Sequence, residues 1–309
     1  MGLEIYLPIA KNSINILFLL GLGGLVGIIS GLFGVGGGFL MTPLLIMLGI
    51  PPTVAAASSS NQIVAATASG TYAHYRLGNV DIKMGSLLLC GGLIGGTLGV
   101  QIIKILRNLG NADFLILITY VVMLGWVGTY MFLESLQQIR RTRSGKGSLR
   151  RRESLFIRVY KILPWHMRFE RSGVTISLLM PLFLGCFVGV LAGIMGFGGG
   201  FIMVPVMVYI LRMPMHVIVG TNLFQEVFVC VNVTIMQAAV NHTVDLPLVI
   251  ILLLGSTVGA QMGARVSRFL HADQLKIILA SIILLVMLKM LADLVLPPHL
   301  LLYYKGVTG

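Results

Sequence analysis

Charge is what this chain has least of. Only 10% of its 309 residues are Asp, Glu, Lys or Arg, whereas 57% are hydrophobic, and the mean hydropathy is +0.96. A water-soluble domain carries about 25% charged residues. So few charges cannot cover a water-facing surface, which excludes a soluble enzyme and a disordered chain. Cysteine is also scarce. Cys90, Cys186 and Cys230 stand far apart in apolar stretches. They suggest neither a disulfide framework nor a CxxC metal site, and no metal or cofactor is expected. Acid is scarcer than base, with ten acidic against 22 basic residues and a net charge of +12. The excess is concentrated: residues 135–172 hold eleven Lys/Arg and two Glu, a balance of +9, leaving +3 elsewhere. One basic loop between apolar stretches reads as a cytoplasmic loop of a membrane protein rather than a nucleic-acid surface. The opening lacks a basic segment followed by a small-residue cleavage site, and its first apolar stretch is too long for a signal peptide, so it is expected to be retained.

What is present is a series of long charge-free runs. A span needs about 20 apolar residues. The 64 residues from Asn12 to Tyr75 contain no charge and suffice for three crossings. Met84–Ile103 and Phe114–Leu133 add one each, making five before the basic loop. After it, Ser172–Leu211 allows two, and Met213–Val244, Leu246–Ala264 and Ile277–Leu296 one each. The expectation is an all-α polytopic protein with a first repeat over 1–134, a basic cytoplasmic loop over 135–172 and a second repeat over 173–309. The second segment of each half follows a glycine triplet and contains Pro43 or Pro205. It reads as a short, broken helix, tolerated where it is buried in protein or lines a cavity. With ten crossings and the loop inside, 17 basic residues face the cytoplasm against five outside, as the positive-inside rule favours. Both termini then lie outside. Were the two short segments re-entrant, eight crossings would remain and the basic residues would distribute less well.

The two halves match. Gly31-Leu-Phe-Gly-Val-Gly-Gly-Gly-Phe-Leu-Met-Thr-Pro43 recurs 162 residues later as Gly193-Ile-Met-Gly-Phe-Gly-Gly-Gly-Phe-Ile-Met-Val-Pro205. Gly91, Gly95 and Gly99 recur at offset 164 as Gly255, Gly259 and Gly263, and Val80-Asp81 as Val244-Asp245. Ser60-Asn61 finds Thr221-Asn222 with a slipped offset. Five crossings per repeat is odd, so the halves are expected to be inverted. Inverted repeats with broken helices describe many secondary transporters, whose site lies between the halves. A duplicated channel or scaffold is the competing reading. Glycines spaced by four line one helix face, where backbones approach closely, so the ladders are packing features.

The triplets Gly36-Gly37-Gly38 and Gly198-Gly199-Gly200 differ in kind. Consecutive glycines bare the backbone and permit positive φ. A helix starting there would present free N–H groups to an anion, although a plain tight turn explains the triplets equally well. Ser59, Ser60, Asn61 and Gln62 form a polar cluster whose counterpart is Thr221, Asn222 and Gln225. Such groups either line a substrate path or bond between helices. Glu226 is an acidic residue well inside a predicted span with no basic neighbour in sequence. An intramembrane carboxyl is a functional candidate by default. Desolvation favours its neutral form, which makes it a candidate to carry a coupling proton, against the plainer role of a neutral hydrogen-bonding group. His74, near a span end beside Arg76, is a weaker candidate for the same task. His216 and His242 read as solvated loop residues, and Asp81 and Asp245 as helix caps. No Ser/His pair or facing aspartates suggest an enzyme. In the basic loop, Leu155–Trp165 suits a short interfacial helix on anionic lipid, or else a solvated linker.

The duplicated Gly34-Val-Gly-Gly-Gly-Phe-Leu-Met-Thr-Pro43 and Gly196-Phe-Gly-Gly-Gly-Phe-Ile-Met-Val-Pro205 motifs, the Ser58–Gln62 stretch and the glycine-rich spans after Asp81 and Asp245 resemble the sulfite exporter TauE/SafE family, the TSUP transporters. The resemblance covers roughly residues 14–133 and 173–296. It implies transport of small sulfur-containing anions such as sulfite, sulfonates or thiosulfate across a bacterial inner membrane. Loop 135–172 is larger than the compact linker expected in that family, and a regulatory role for it is an alternative.

Overall fold

The computed structural model describes residues 4–33, 36–143, 166–211, 213–266 and 272–295. Among them are ten helices, five on each side of the basic loop. In the first half these are α1 (Ile16–Phe33), α2 (Gly38–Met47), α3 (Pro52–Arg76), α4 (Ile82–Asn108) and α5 (Ala112–Arg143). In the second half they are α6 (Leu179–Met195), α7 (Gly200–Val206), α8 (Met215–Met236), α9 (Leu246–Val266) and α10 (Ala272–Val295). A π-helical turn extends α7 over Met207–Leu211, and another extends α8 over Gln237–Asn241. Within these stretches, Ile82–Asn108, Ala112–Leu133, Val217–Asn241 and Leu246–Gly263 are long and apolar enough to cross a membrane, and Ile16–Leu32 and Leu179–Met195 are shorter apolar helices. Helix α3 is long but rich in Ala, Ser and Thr, and its first half is buried among its neighbours.

Two short hairpins stand beside the helices, where only helix was expected. Strands β1 (Glu4–Leu7) and β2 (Asn12–Asn15) pair antiparallel, as do β3 (His166–Phe169) and β4 (Val174–Ser177). The first hairpin takes the start of a run read as the first crossing. The second straddles residue 172, where the sequence-based boundary of the second repeat falls. The hairpins sit 162 residues apart, and at that offset Leu7 and Phe169 are both fully buried. The interfacial helix expected at Leu155–Trp165 lies outside the described residues.

Each hairpin is fastened to an aspartate of the other half. Asp245 Oδ2 accepts from the backbone N–H of Ile9 at 2.9 Å and of Ala10 at 3.2 Å. Asp81 Oδ2 accepts from Ser172 N at 3.1 Å and Ser172 Oγ at 2.5 Å. The same aspartates cap their own helices: Asp81 Oδ1 receives Met84 N at 3.1 Å, and Asp245 Oδ1 receives Leu248 N at 3.4 Å. This is the capping expected of them, with a tertiary clasp added. Their own backbone N–H groups then reach across the halves, Asp81 to Thr221 Oγ1 at 3.0 Å and Asp245 to Ser58 Oγ at 3.3 Å.

The glycine ladders bring backbones into contact. A Cβ at Gly23 or Gly27 would strike the main chain of Leu252 or Ser256, so α1 runs parallel to α9. Gly91, Gly95 and Gly99 lie in turn on Leu182, Cys186 and Val190, so α4 runs parallel to α6. Helix α4 also runs with α8, since Gly85 meets Phe224, Gly92 meets Val229 and Gly96 meets Val233. Helix α3 runs against α8, because Gly70 meets Leu223 while His74 meets Gly220. Lipid gives helices no hydrophobic reason to associate, so close van der Waals packing between small residues does that work.

Candidate functional site between the glycine triplets

Both triplets adopt the backbone that glycine alone supplies cheaply. Gly36 and Gly37 have φ of 76° and 74°, and Gly198 and Gly199 have φ of 77° and 86°. Helices α2 and α7 start immediately after Gly37 and Gly199, with no side-chain cap on either start. The middle glycines turn away from the seam. A Cβ at Gly37 would meet Ser30 and Val26 of α1, and one at Gly199 would meet Val188 and Ala192 of α6. The outer glycines face something else. A Cβ at Gly36, Gly198 or Gly200 would run into the carboxyl group of Glu226.

Glu226 therefore reaches from α8 into the space shared by both triplets. It is fully buried. Asn222 Nδ2, one turn earlier, donates to its Oε2 at 3.4 Å, and Gln225 Nε2 donates to Asn222 Oδ1 at 3.4 Å. Oε1 has no hydrogen-bond partner among the described residues. Cys230, one turn later on α8 and also buried, packs against Gly198 beside the carboxyl. The two short helices meet through the stacked rings of Phe39 and Phe201, 4.7 Å apart and 13° from coplanar.

The first half offers a contrast at the same place. Gly38 packs on Ile63 as Gly200 packs on Glu226. Ser58 and Thr221 play matching parts, each accepting from an Asp backbone N–H of the opposite half. That match fixes the offset at 163, between the 162 and 164 of the flanking motifs. The polar clusters thus align Ser58 with Thr221, Gln62 with Gln225 and Ile63 with Glu226. The earlier pairing of Ser60-Asn61 with Thr221-Asn222 is out of register by two residues.

A family model described as "Sulfite exporter TauE/SafE" matches residues 19–290. The chain belongs to this family. Its relatives include the probable membrane transporter protein YjnA of Bacillus subtilis, 27% identical over 87% of this chain and 97% of that protein. YunE, a second Bacillus subtilis probable membrane transporter protein, is 25% identical over 89% of this chain and 96% of its own length. Sulfite exporter TauE/SafE family protein 1 of Arabidopsis thaliana is 28% identical over 32% of this chain and 22% of its own length. No solved structure matches. The protein is accordingly a membrane transporter with a small-molecule substrate and not an enzyme.

Within this TauE/SafE protein, the expected site residues divide. Gly36, Gly38, Gly198, Gly200, Asn222 and Glu226 come together. Gly37 and Gly199 shape the turns from behind. The hydroxyls of Ser59 and Ser60 bond back to the carbonyls of Ala55 and Ala56 at 2.8 and 3.2 Å, the local use of such hydroxyls inside a helix. Thr221 is spent on Asp81. Asn61 is half-buried, whereas Gln62 is fully buried with both amide atoms unpartnered among the described residues. His74 lies eleven residues beyond Ile63 on α3, ~16 Å along the helix axis, and packs on Gly220 rather than on the triplets. His242 is exposed in a left-handed turn. Cys230 and Ile63 are the site neighbours that sequence reasoning missed. Both were legible in principle: Cys230 is four residues after Glu226, and Ile63 appears once the repeat is aligned at 163.

Proposed function

We propose that this protein is a secondary transporter of small sulfur-containing anions, of the sulfite, sulfonate or thiosulfate class, in a cell inner membrane. The observation that carries the reading is the Glu226 carboxyl, held between two glycine triplets that come from different halves of the chain. The Arabidopsis relatives, named as sulfite exporter TauE/SafE family proteins, favour a sulfur oxyanion. Bared backbone at two uncapped helix starts suits an oxyanion, and an intramembrane carboxyl beside it suits a coupling proton.

An inverted repeat is the architecture we assign. Helix α8 is followed by α9 after only four residues, so the two run in opposite directions. Helix α3 runs against α8 and hence with α9, which itself runs with α1. Helix α4 runs with α6 and α8. The first, third and fourth helices of one half thus oppose their counterparts in the other. Such halves rock about a shared site in many transporters. The basic loop faces the cytoplasm in this reading, with anionic lipid as its partner. The competing assignments, an anion channel or a scaffold working through the loop, have no feature here that requires two such triplets.

The test is uptake and efflux of labelled sulfite, thiosulfate and methanesulfonate in proteoliposomes, with and without a pH gradient. Saturable movement of at least one that responds to the gradient supports the proposal. Movement that neither saturates nor responds assigns a channel.

A further inference from the structure

Glu226 does not stand beside the proposed anion site but inside it. Its carboxyl occupies the space left by the missing Cβ atoms of Gly36, Gly198 and Gly200 together. The triplets are bared, and the bared space is already filled by an acid of the protein itself. Its side-chain partners are few, and its carboxyl also meets the backbone N–H of Gly200. The Asn222 bond to Oε2, at 3.4 Å, is long for a hydrogen bond, and the fully buried Oε1 has no partner among the described residues. Among the described residues, the side chains that approach it include Ile63 beside Gly36, Asn222 and Cys230, none of them basic.

The first half shows that a carboxyl is not needed to close such a cradle. Ile63 sits against Gly38 at the equivalent place and fills it with hydrocarbon. Because the equivalent position of the first half holds an aliphatic side chain, closing such a cradle does not by itself require a carboxyl. What Glu226 adds is a carboxyl head on a two-methylene tether, in a place built from bared backbone.

We infer that Glu226 is a tethered occupant of the anion site: its carboxyl holds the space that the transported anion takes, and the anion enters by displacing it. The inference rests on the transport reading above and adds to it a direct competition between side chain and substrate. It also describes the ligand. A group that replaces a carboxyl is a small head presenting two or three oxygens, which sulfite and a sulfonate do. A tether keeps its competitor at high effective concentration, so cutting it raises the affinity of the free ligand.

The experiment measures binding to the purified full-length protein at one pH, with sulfite, methanesulfonate and acetate as probes. Glu226→Ala removes the tethered head, and Glu226→Gln keeps its shape without a group that can ionise. Glu226→Ala should bind sulfite or methanesulfonate ~10-fold or more tightly than the parent, and should gain acetate binding that the parent lacks. Glu226→Gln should fall between the two. If the parent and Glu226→Ala bind sulfite alike and neither binds acetate, the occupant is overturned while the transport reading stands. If Glu226→Ala binds acetate but no protein binds a sulfur anion, the occupant stands and the sulfur-anion reading falls. Absence of binding throughout overturns both. Should Glu226→Ala fail to fold, Glu226→Gln decides: sulfite affinity equal to or below that of the parent contradicts the inference.

Discussion

The two halves of the molecule share one frame and differ at the buried position that closes the glycine cradle. Each half has a hairpin, a glycine-laddered helix, a left-handed glycine turn and a short proline-containing helix, followed by an aspartate that caps a helix and clasps the opposite hairpin. Against that sameness, Ile63 in the first half stands where Glu226 stands in the second. A duplicated fold carries its packing twice, but an ionisable group at a shared seam can occur once. The proposed function places its chemistry at this difference.

The largest expected effects lie at the glycines facing the carboxyl. Gly36→Ala and Gly200→Ala each place a methyl on Glu226, and at Gly36 the added Cβ also meets a φ of 76°. Both should lower transport more than tenfold in proteoliposomes, whereas Gly37→Ala presses on α1 instead and should act on stability first. Equal transport by all three variants would return the triplets to plain turns.

Next come the ladders. Gly95→Ala and Gly259→Ala would each push a methyl into the main chain of the partner helix, at a cost of about 1–3 kcal/mol. Gly21→Ala faces open space and should be neutral or stabilise by up to ~1 kcal/mol. Thermal unfolding in one detergent checks this, and similar losses at positions 95 and 259 are expected if the two interfaces are built alike.

The clasps test the finer asymmetry. Asp81→Ala and Asp245→Ala each lose a helix cap, typically ~1 kcal/mol, and a hairpin anchor. Asp81→Ala should be the more damaging, because Ser172 bonds to it twice while Asp245 holds backbone N–H groups only. Ser172→Ala should remove most of the gap, and hydrogen exchange in the two hairpins reads it directly.

The smallest effect is expected at Tyr120. Its hydroxyl donates to Met195 O at 2.6 Å, at the end of α6 just before the second triplet. Tyr120→Phe should cost about 0.5–1.5 kcal/mol and leave substrate selectivity unchanged, as judged by melting and by competition among anions in the same preparation.

Much of this was legible in the sequence, for particular reasons. Charge-free runs located the apolar helices because bilayer thickness sets their length. The triplets announced left-handed backbone because three consecutive glycines serve few other ends, and Glu226 stood out because buried acids are rare. The hairpins were not legible. Asn12–Asn15 carries no charge, so it merged with the apolar run that follows it, and its strand character comes from pairing with Glu4–Leu7 rather than from its own pattern. Nor could sequence tell which glycine of a triplet faces the seam, since that depends on the turn's direction. The slipped register at Ser60-Asn61 had the same origin: hydroxyls and amides abound on α3, and only the bond from Asp245 N to Ser58 identifies the residue equivalent to Thr221.

In the proposed function Glu226 links the proton to the anion. It is tested most directly by measuring counterflow and gradient-driven uptake of the same labelled anion in the same vesicles, for the parent and for Glu226→Gln. With coupling through Glu226, Glu226→Gln still exchanges anion across the membrane but no longer accumulates it under a pH gradient. Gradient-driven uptake by Glu226→Gln at the parental level would contradict it and leave Glu226 a structural hydrogen-bonding group.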